Sequence, residues 1–347
     1  MSRFMEEVGE LPEALLRMVA FYRFEGRERL DAWVERMRGC DQVIFSGMGT
    51  SEFSPLAVRP RLSAVGVACR TVDAGEWLHY PIPLPDERGW VVLISQSGES
   101  VEIKSLVGRE MVADYVAITN GENSTLARQA ALVLPLCAGE EAAITTKTYT
   151  NTLGLLVLMA AALEGESARD DAFDRLATVA DYLHSADGGQ SAVVAEFLLP
   201  GEALVFVGRG PAVAAARQAA LIFMEGARCP TFAFTGGAFR HGPFEAVGPD
   251  LRLVVFAPRG RSRGITEGLG REAARLGARV VLVTDVELAA EDNLKVVRVR
   301  NVRGEASEDL FPLAVSGVLP RLLDQFARAK GIEIGGFRYG QKVTARE

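Results

Sequence analysis

The feature that most constrains this chain is an internal repeat. Four short apolar runs in the first half return in the same order in the second. QVIFSGMGT, from Gln42, is answered by ALVFVGRGP, from Ala203, with Gly47 set 161 residues before Gly208. Cys69 in AVGVACRTV leads Cys229 in ARCPTFAF by 160, Val92 in WVVLISQSGES leads Val254 in LRLVVFAPRG by 162, and Thr119 in YVAITN leads Thr284 in VVLVTD by 165. A nearly constant offset over four successive segments marks a duplicated unit. The runs are continuously apolar rather than alternating, as in strands covered on both faces. The pattern therefore predicts two α/β domains, each a parallel sheet between helices.

Size agrees with duplication, since 347 residues is more than twice a domain of ~150. Apolar residues make up 48% and charged residues 24%, enough for two cores. Helical spacing of Leu15, Leu16, Met18, Val19 and Phe21, then of Leu30, Trp33 and Val34, predicts helices between Glu10 and Arg38. LGLLVLMAAAL, Leu153 to Leu163, is too short to span a bilayer and follows a Thr-rich stretch that can cap a helix, so it reads as a core helix. The expected divisions are 1–165 for helices plus the first domain, 166–190 for a connecting region, 191–325 for the second domain and 326–347 for a tail. Within the connection Phe173 to Leu183 is periodic, and a last helix is predicted over Leu319 to Ala329. The glycine-rich GIEIGGFRYGQKVTARE beyond it is either a frayed end or an arm across a site.

Charge excludes some functions. With 38 Lys and Arg against 45 Asp and Glu, the net charge of −7 speaks against a broad nucleic-acid or anionic-membrane surface, while a small anion held by backbone N–H groups stays open. The acidic start, MSRFMEEVGELPE, lacks the apolar run of a secretory signal, and a cytoplasmic location is expected. Cys40, Cys69, Cys137 and Cys229 are far apart without C-x-x-C spacing, which gives a zinc site or redox pair no local support. Cys69 and Cys229 read as buried reduced thiols.

Four segments carry chemistry. SGMGTSE, Ser46 to Glu52, runs a strand into glycines and then Thr50 and Ser51 at a helix start; it serves as an oxyanion site or a simple N-cap. SQSGES places Ser95, Gln96, Ser97 and Ser100 directly after the apolar VVLI, where one capping residue would suffice for structure. Their alternatives are a phosphate cradle and turn-making Ser/Gly chemistry. The matching place in the second repeat, APRGRS, has lost the neutral hydroxyls, so one ligand per duplicated pair is expected. Of three histidines, His241 stands out in the Gly- and Pro-punctuated GGAFRHGPFE, as a site residue or a packed cap. Glu225 interrupts the apolar helix AALIFMEGARC, where a carboxylate faces solvent or is held for proton transfer; burial beside Phe223 and Met224 would favour its protonated form.

Together GMGTSE, SQSGES, TTKTYT (Thr145 to Thr150), the Glu225 helix, RHGPFE and the terminal QKVT resemble the tandem sugar isomerase (SIS) family, in particular the isomerase half of glutamine–fructose-6-phosphate aminotransferases. The resemblance covers nearly the whole chain and implies two flavodoxin-like domains. It implies that Thr50, Ser51, Ser95, Gln96, Ser97 and Ser100 bind a sugar phosphate, with Ser100 in the place of a Thr. It implies that Glu225 moves a proton between sugar C1 and C2. His241 would assist ring opening, commonly at the neighbouring subunit's site, with Arg240 in the basic position before it. Lys342 would take part in ring opening or Schiff-base formation, on a tail covering the active site.

The sequence also departs from that pattern. Around Lys342, and with Arg338 retained, the family's Asp, Pro and Leu are Gly335, Phe337 and Gly340; Ile222 stands where a Lys precedes the catalytic Glu by one turn, and Ala238 replaces a Glu. Ser2 occupies the place of a nucleophilic N-terminal Cys, so glutaminase activity is not expected. The resemblance implies a glucosamine-6-phosphate deaminase giving fructose 6-phosphate and ammonia. The alternatives are a fructosamine-6-phosphate-type deglycase, an aldose–ketose phosphate isomerase and, from another class, a non-catalytic sugar-phosphate-binding module. The expected partners are a phosphorylated amino or keto sugar and a second copy, in a homodimer with shared active sites. No nicotinamide, metal or pyridoxal cofactor is called for, because the substrate's carbonyl or imine is its own electron sink.

Overall fold

The computed structural model describes residues 2–344 except 81, 85–87, 110, 111, 113, 143, 187, 188, 200–202, 301–307, 336 and 340. Gly340, among the tail departures above, lies outside the described residues. The first sheet contains β1 (Gln42–Gly47), β2 (Ala68–Asp73), β3 (Gly89–Ser95), β4 (Tyr115–Thr119) and β5 (Leu132–Pro135), in the order β2-β1-β3-β4-β5. The second contains β6 (Leu204–Gly208), β7 (Thr231–Thr235), β8 (Arg252–Phe256), β9 (Arg279–Thr284) and β10 (Leu294–Arg298), in the order β7-β6-β8-β9-β10. All pairings within both are parallel. The two sheets thus share one flavodoxin-like strand order.

Each strand predicted from the repeat is present, with two refinements. β2 begins at Ala68 rather than Ala64, because Arg59–Ala64 is helical and Gly66, at φ +82°, turns the chain before the strand. Cys229 precedes β7 and is buried as expected, whereas Cys69, within the edge strand β2, is only half-buried; desolvation still pushes its thiol up to about 12. β5 and β10, each at one edge of its sheet, were not singled out from the sequence.

Two compact units result. One comprises Pro12–Ala180 with Phe337–Glu347, the other Met1–Leu11 with Asp181–Gly336. The first helix, Arg3–Gly9, joins the second repeat because Phe4 and Val8 are buried and the helix packs on Leu319–Ala329. The stretch read as a connection is largely helix, Glu166–Leu183, whose Ala172, Phe173, Leu176, Val179, Ala180 and Leu183 recur at helical spacing and are buried. The oily helix Lys147–Glu164 is buried on all sides through Ala162, as its uniform hydrophobicity requires. No helix among the described residues is long and apolar enough to cross a membrane.

Alternation along the strands separates two faces of each sheet. In the first, Ile44, Val91, Leu93 and Ala117 pack with Trp77, Ile103 and Leu106. In the second, Val205 and Val207 pack with Phe239, Leu269 and Ala273, while Phe206 faces the other way onto Phe223, 5.4 Å between ring centroids, and Phe256. Each such aromatic pair adds about 0.5–1.5 kcal/mol beyond area burial.

Gly47 and Gly208 end the equivalent strands β1 and β6, and both are required by close approach rather than by φ. A Cβ at Gly47 would lie 2.6 Å from the Ile94 carbonyl oxygen, and one at Gly208 would lie 2.5 Å from that of Ala212. Gly208→Ala is therefore expected to overpack the strand–helix turn at a cost of about 1–3 kcal/mol. A melting temperature lowered by roughly 2–4 °C per kcal/mol, read by calorimetry, is the expected result, against an unchanged transition if the turn could relax freely.

Candidate active site

The strand order locates the first crevice. The chain leaves β1 toward one edge of the sheet and β3 toward the other, so their C-terminal ends diverge and open a cleft there. Two loops border it. After β1, Gly49 at φ +52° leads into the helix Thr50–Phe53, which puts Thr50 and Ser51, both half-buried, in its first turn. After β3, residues 96–100 lead into the helix Val101–Gly108, with Gly98 at φ +66°. The structure thus brings Thr50, Ser51, Ser95, Gln96, Ser97 and Ser100 to one sheet edge.

The second loop is clamped from behind. The Gln96 carbonyl accepts from Asn120 N–H at 3.0 Å and from Thr119 Oγ1 at 3.3 Å, and the Gly98 carbonyl accepts from Leu126 N–H at 3.2 Å. A Cβ on Gly98 would come within 2.1 Å of Ser124 Oγ. The Glu99 carboxylate accepts from the Thr125 N–H at 2.6 Å and its hydroxyl at 3.2 Å. That backbone bond, above all, holds its carboxyl below the ordinary range. Glu99 therefore serves as an anchor to the next helix.

Ser95 Oγ accepts from Gly98 N–H and Ser97 Oγ from Glu99 N–H, each at 3.1 Å. A hydroxyl fixed as an acceptor keeps its own proton to donate elsewhere, so these short turns orient two donors. Ser100 is the N-cap of the Val101–Gly108 helix in position only; its side chain makes no cap hydrogen bond. Hydroxyl donors at a positive helix end suit an oxyanion.

The tail comes to the same place. The Thr344 carbonyl accepts from the N–H of Val101, first residue of the helix behind the cradle, at 3.1 Å. Two residues earlier, Lys342 Nζ lies 2.8 Å from Glu141 Oε2. Glu141 was not singled out from the sequence. Its Oε1 also accepts from the N–H groups of Thr146 and Thr148 at 2.9 and 3.1 Å, and its Oε2 from the Thr148 hydroxyl at 2.6 Å. Burial opposes ionisation of Glu141, but the Lys342 ammonium and these hydrogen bonds outweigh it and hold the carboxyl below its usual range. The Thr-rich run does not cap the Lys147–Glu164 helix by itself: Thr146 makes no side-chain cap bond, and Glu141 supplies the acceptor instead. The available signal was a Glu five and seven residues before two threonines at a helix start.

Glu225 and His241 belong to the other unit. Glu225 sits near the end of the helix Ala212–Ala227, half-buried, directly after core Phe223 and exposed Met224. Ile222, one turn earlier, is buried. His241 is exposed and terminates the short helix Gly236–Arg240, its N–H donating to the Gly237 carbonyl at 3.2 Å before Gly242 turns the chain at φ +116°. Arg240 is an anchor, paired with Glu272 at 3.0 and 2.7 Å and lying over the Phe244 ring. The Glu225 helix packs on the Phe206 face of the second sheet through Phe223, and the His241 segment packs on the Val205–Val207 face through Phe239. The structure thus carries these two residues on elements packed against opposite faces of one sheet.

With this geometry in hand, the SIS domain family model matches residues 36–163 and 198–310. The chain belongs to that family. It is similar to the glutamine–fructose-6-phosphate aminotransferase (isomerizing) of Bartonella henselae, 26% identical over 305 residues, 84% of this chain and 50% of the relative. The chain spans about half the length of such curated relatives. Among solved structures, the C-terminal domain of the Francisella tularensis glucosamine-fructose-6-phosphate aminotransferase aligns with TM-score 0.84 at 21% identity, covering 96% of this chain and 97% of that one. The glucosamine-6-phosphate deaminase of Thermotoga maritima aligns with TM-score 0.77 at 22% identity over 99% of both chains. These structural likenesses establish the shared tandem α/β fold.

The Glu141–Lys342 pair makes a prediction about the tail. Because the carboxyl titrates below its ordinary value, tail docking should hold through neutral pH and weaken only as acid protonates Glu141, below about pH 4.5. Glu141→Gln should free the tail at neutral pH. Faster tryptic cleavage at Arg338 and Lys342 and lost exchange protection of the Val101 amide are the expected readouts; unchanged protection would show that the pair does not fasten the tail.

Proposed function

We propose that the chain is a glucosamine-6-phosphate deaminase, converting glucosamine 6-phosphate and water into fructose 6-phosphate and ammonia. The observation that carries this reading is the convergence, at one sheet edge, of a neutral hydroxyl cradle and a tail lysine fastened by a buried carboxylate. The cradle suits a phosphate, and an amine beside it suits the sugar's ring end. A binding module needs only the first.

In this reading Thr50, Ser51, Ser95, Gln96, Ser97 and Ser100 hold the phosphate throughout the reaction. Lys342 acts as a proton and hydrogen-bond donor during ring opening. An ion pair with Glu141 suits an ammonium, not the neutral amine that a Schiff base requires. The opened sugar acidifies its C2 proton, and Glu225 carries that proton to C1. Water then adds to the resulting C2 imine, and the C–N bond breaks with departure of ammonia. Electrons and atoms balance without an external oxidant or reductant.

His241 is assigned to ring opening. Its element and that of Glu225 pack on opposite faces of one sheet, which supports a homodimer with shared sites in which a second copy supplies one of the two residues. Mixing inactive Glu225→Ala and His241→Ala chains under subunit exchange restores activity in that arrangement.

The deciding assay offers purified protein glucosamine 6-phosphate, amino-acid adducts of fructose 6-phosphate and simple aldose phosphates, following ammonia and ketose phosphate together. Equimolar ammonia and fructose 6-phosphate are expected. Release of a free amino acid instead selects deglycation, and ketose without ammonia selects isomerisation. Glu225→Gln should lower turnover by about 10²–10⁴ with little change in phosphosugar affinity, and deuterium exchange from solvent should fall in step. Near-wild-type turnover would make Glu225 a structural carboxylate.

A further inference from the structure

The second repeat has the same crevice, between the C-terminal ends of β6 and β8, with glycines of positive φ at the corresponding places around it. Gly210, at φ +54°, follows β6 as Gly49, at φ +52°, follows β1. Gly260 follows β8 as Gly98 follows β3, both with positive φ. The offset of 162 that aligns Val92 with Val254 sets Ser95, Ser97, Gly98, Glu99 and Ser100 against Ala257, Arg259, Gly260, Arg261 and Ser262. What differs is the side chains: two serine hydroxyls are gone and two arginines have arrived.

A carboxylate occupies this second crevice. Glu308 Oε1 accepts from the N–H of Arg261 at 2.7 Å. A Cβ on Gly260 would fall 1.6 Å from that oxygen, and one on Gly210 would fall 3.6 Å from Oε2, so both bordering loops close on the one carboxylate. The Arg259 N–H is taken from behind by Asp285, at 2.6 Å, which stands at the position equivalent to Asn120 in the first repeat. A carboxylate resembles a phosphate here in the relevant respect, presenting anionic oxygens to backbone N–H groups at a strand–helix turn.

We propose that Glu308 is an intramolecular stand-in for phosphate: it fills the second repeat's counterpart of the cradle, limits the chain to one phosphate, and on removal uncovers a second oxyanion site. The vacated crevice keeps the Arg261 N–H, the space beside Gly260 and Gly210, and two arginines on its loop, Arg259 and Arg261, against the acid Asp285, Arg263 being paired with Glu267. Its ligand is an inorganic or sugar-borne phosphate.

The comparison with the first cradle rests on the function proposed above, so the test reads a difference between proteins. Inorganic phosphate is titrated into the full chain by calorimetry at constant ionic strength, with chloride as the control. Wild type is expected to bind one phosphate and Glu308→Ala two. Phosphate should also raise the melting temperature of Glu308→Ala by more than that of wild type, since a ligand of the native state stabilises in proportion to occupancy. Glu308→Gln, which keeps the volume but not the charge, should show the same gain more weakly, and it carries the test if the Ala variant does not fold. No phosphate on wild type but one on the variant would discard the first cradle and keep this inference. Equal stoichiometry and equal stabilisation in wild type and both variants would overturn it.

Discussion

A parallel sheet whose strand order reverses once must open at the reversal, and both halves of this chain are built around that opening. No side chain is needed to make it. Close approach of neighbouring chain demands glycine at the strand end, as at Gly47 and Gly208. What the chain does with each cleft depends on a handful of residues. In the function proposed above, hydroxyls at Ser95, Ser97 and Ser100 suit the first to a guest that brings its own negative charge. In the second, the equivalent loop holds arginines at 259 and 261, and the Glu308 carboxylate occupies the cleft from within the chain, accepting from the Arg261 backbone N–H.

Energetics separates what fastens the tail from what stabilises the fold. A buried ion pair gains little net stability, because desolvating two charges offsets their attraction. Glu141 is different in one respect: four of its hydrogen-bond contacts come from Thr146 and Thr148, so its charge is already solvated by the chain before Lys342 arrives. The lysine then meets a prepaid anion at a fixed position. Together with the Thr344–Val101 bond, this defines where the amine sits while leaving the tail without helix or strand to hold it.

The fold was legible because apolar runs and their spacing are one-dimensional. Eight of the strands announced themselves as repeats, and Leu319–Ala329 was delimited by its periodicity alone. The cradle was legible for a similar reason, since Ser95 to Ser100 crowd one turn. Glu141 was not, because its role depends on Lys342, some two hundred residues away, and on threonines that looked sufficient as caps by themselves. Glu308 was invisible for the same cause: only folding brings it to Gly260. Local chemistry can be read from local sequence, whereas a charge whose partner is remote looks like any other surface acid.

The same reasoning bears on Glu225 and His241. In sequence they are sixteen residues apart and invite grouping into one catalytic pair. Between them runs β7, and the chain enters that strand from one face of the sheet and leaves it on the other. This crossing follows from the order β7-β6-β8: a right-handed connection to one side, followed by a right-handed connection back past β6, must place its two crossovers on opposite faces. A rotamer change does not carry a side chain through a sheet. If one reaction uses both residues, their elements approach it from opposite faces of the sheet, which agrees with the shared site proposed above.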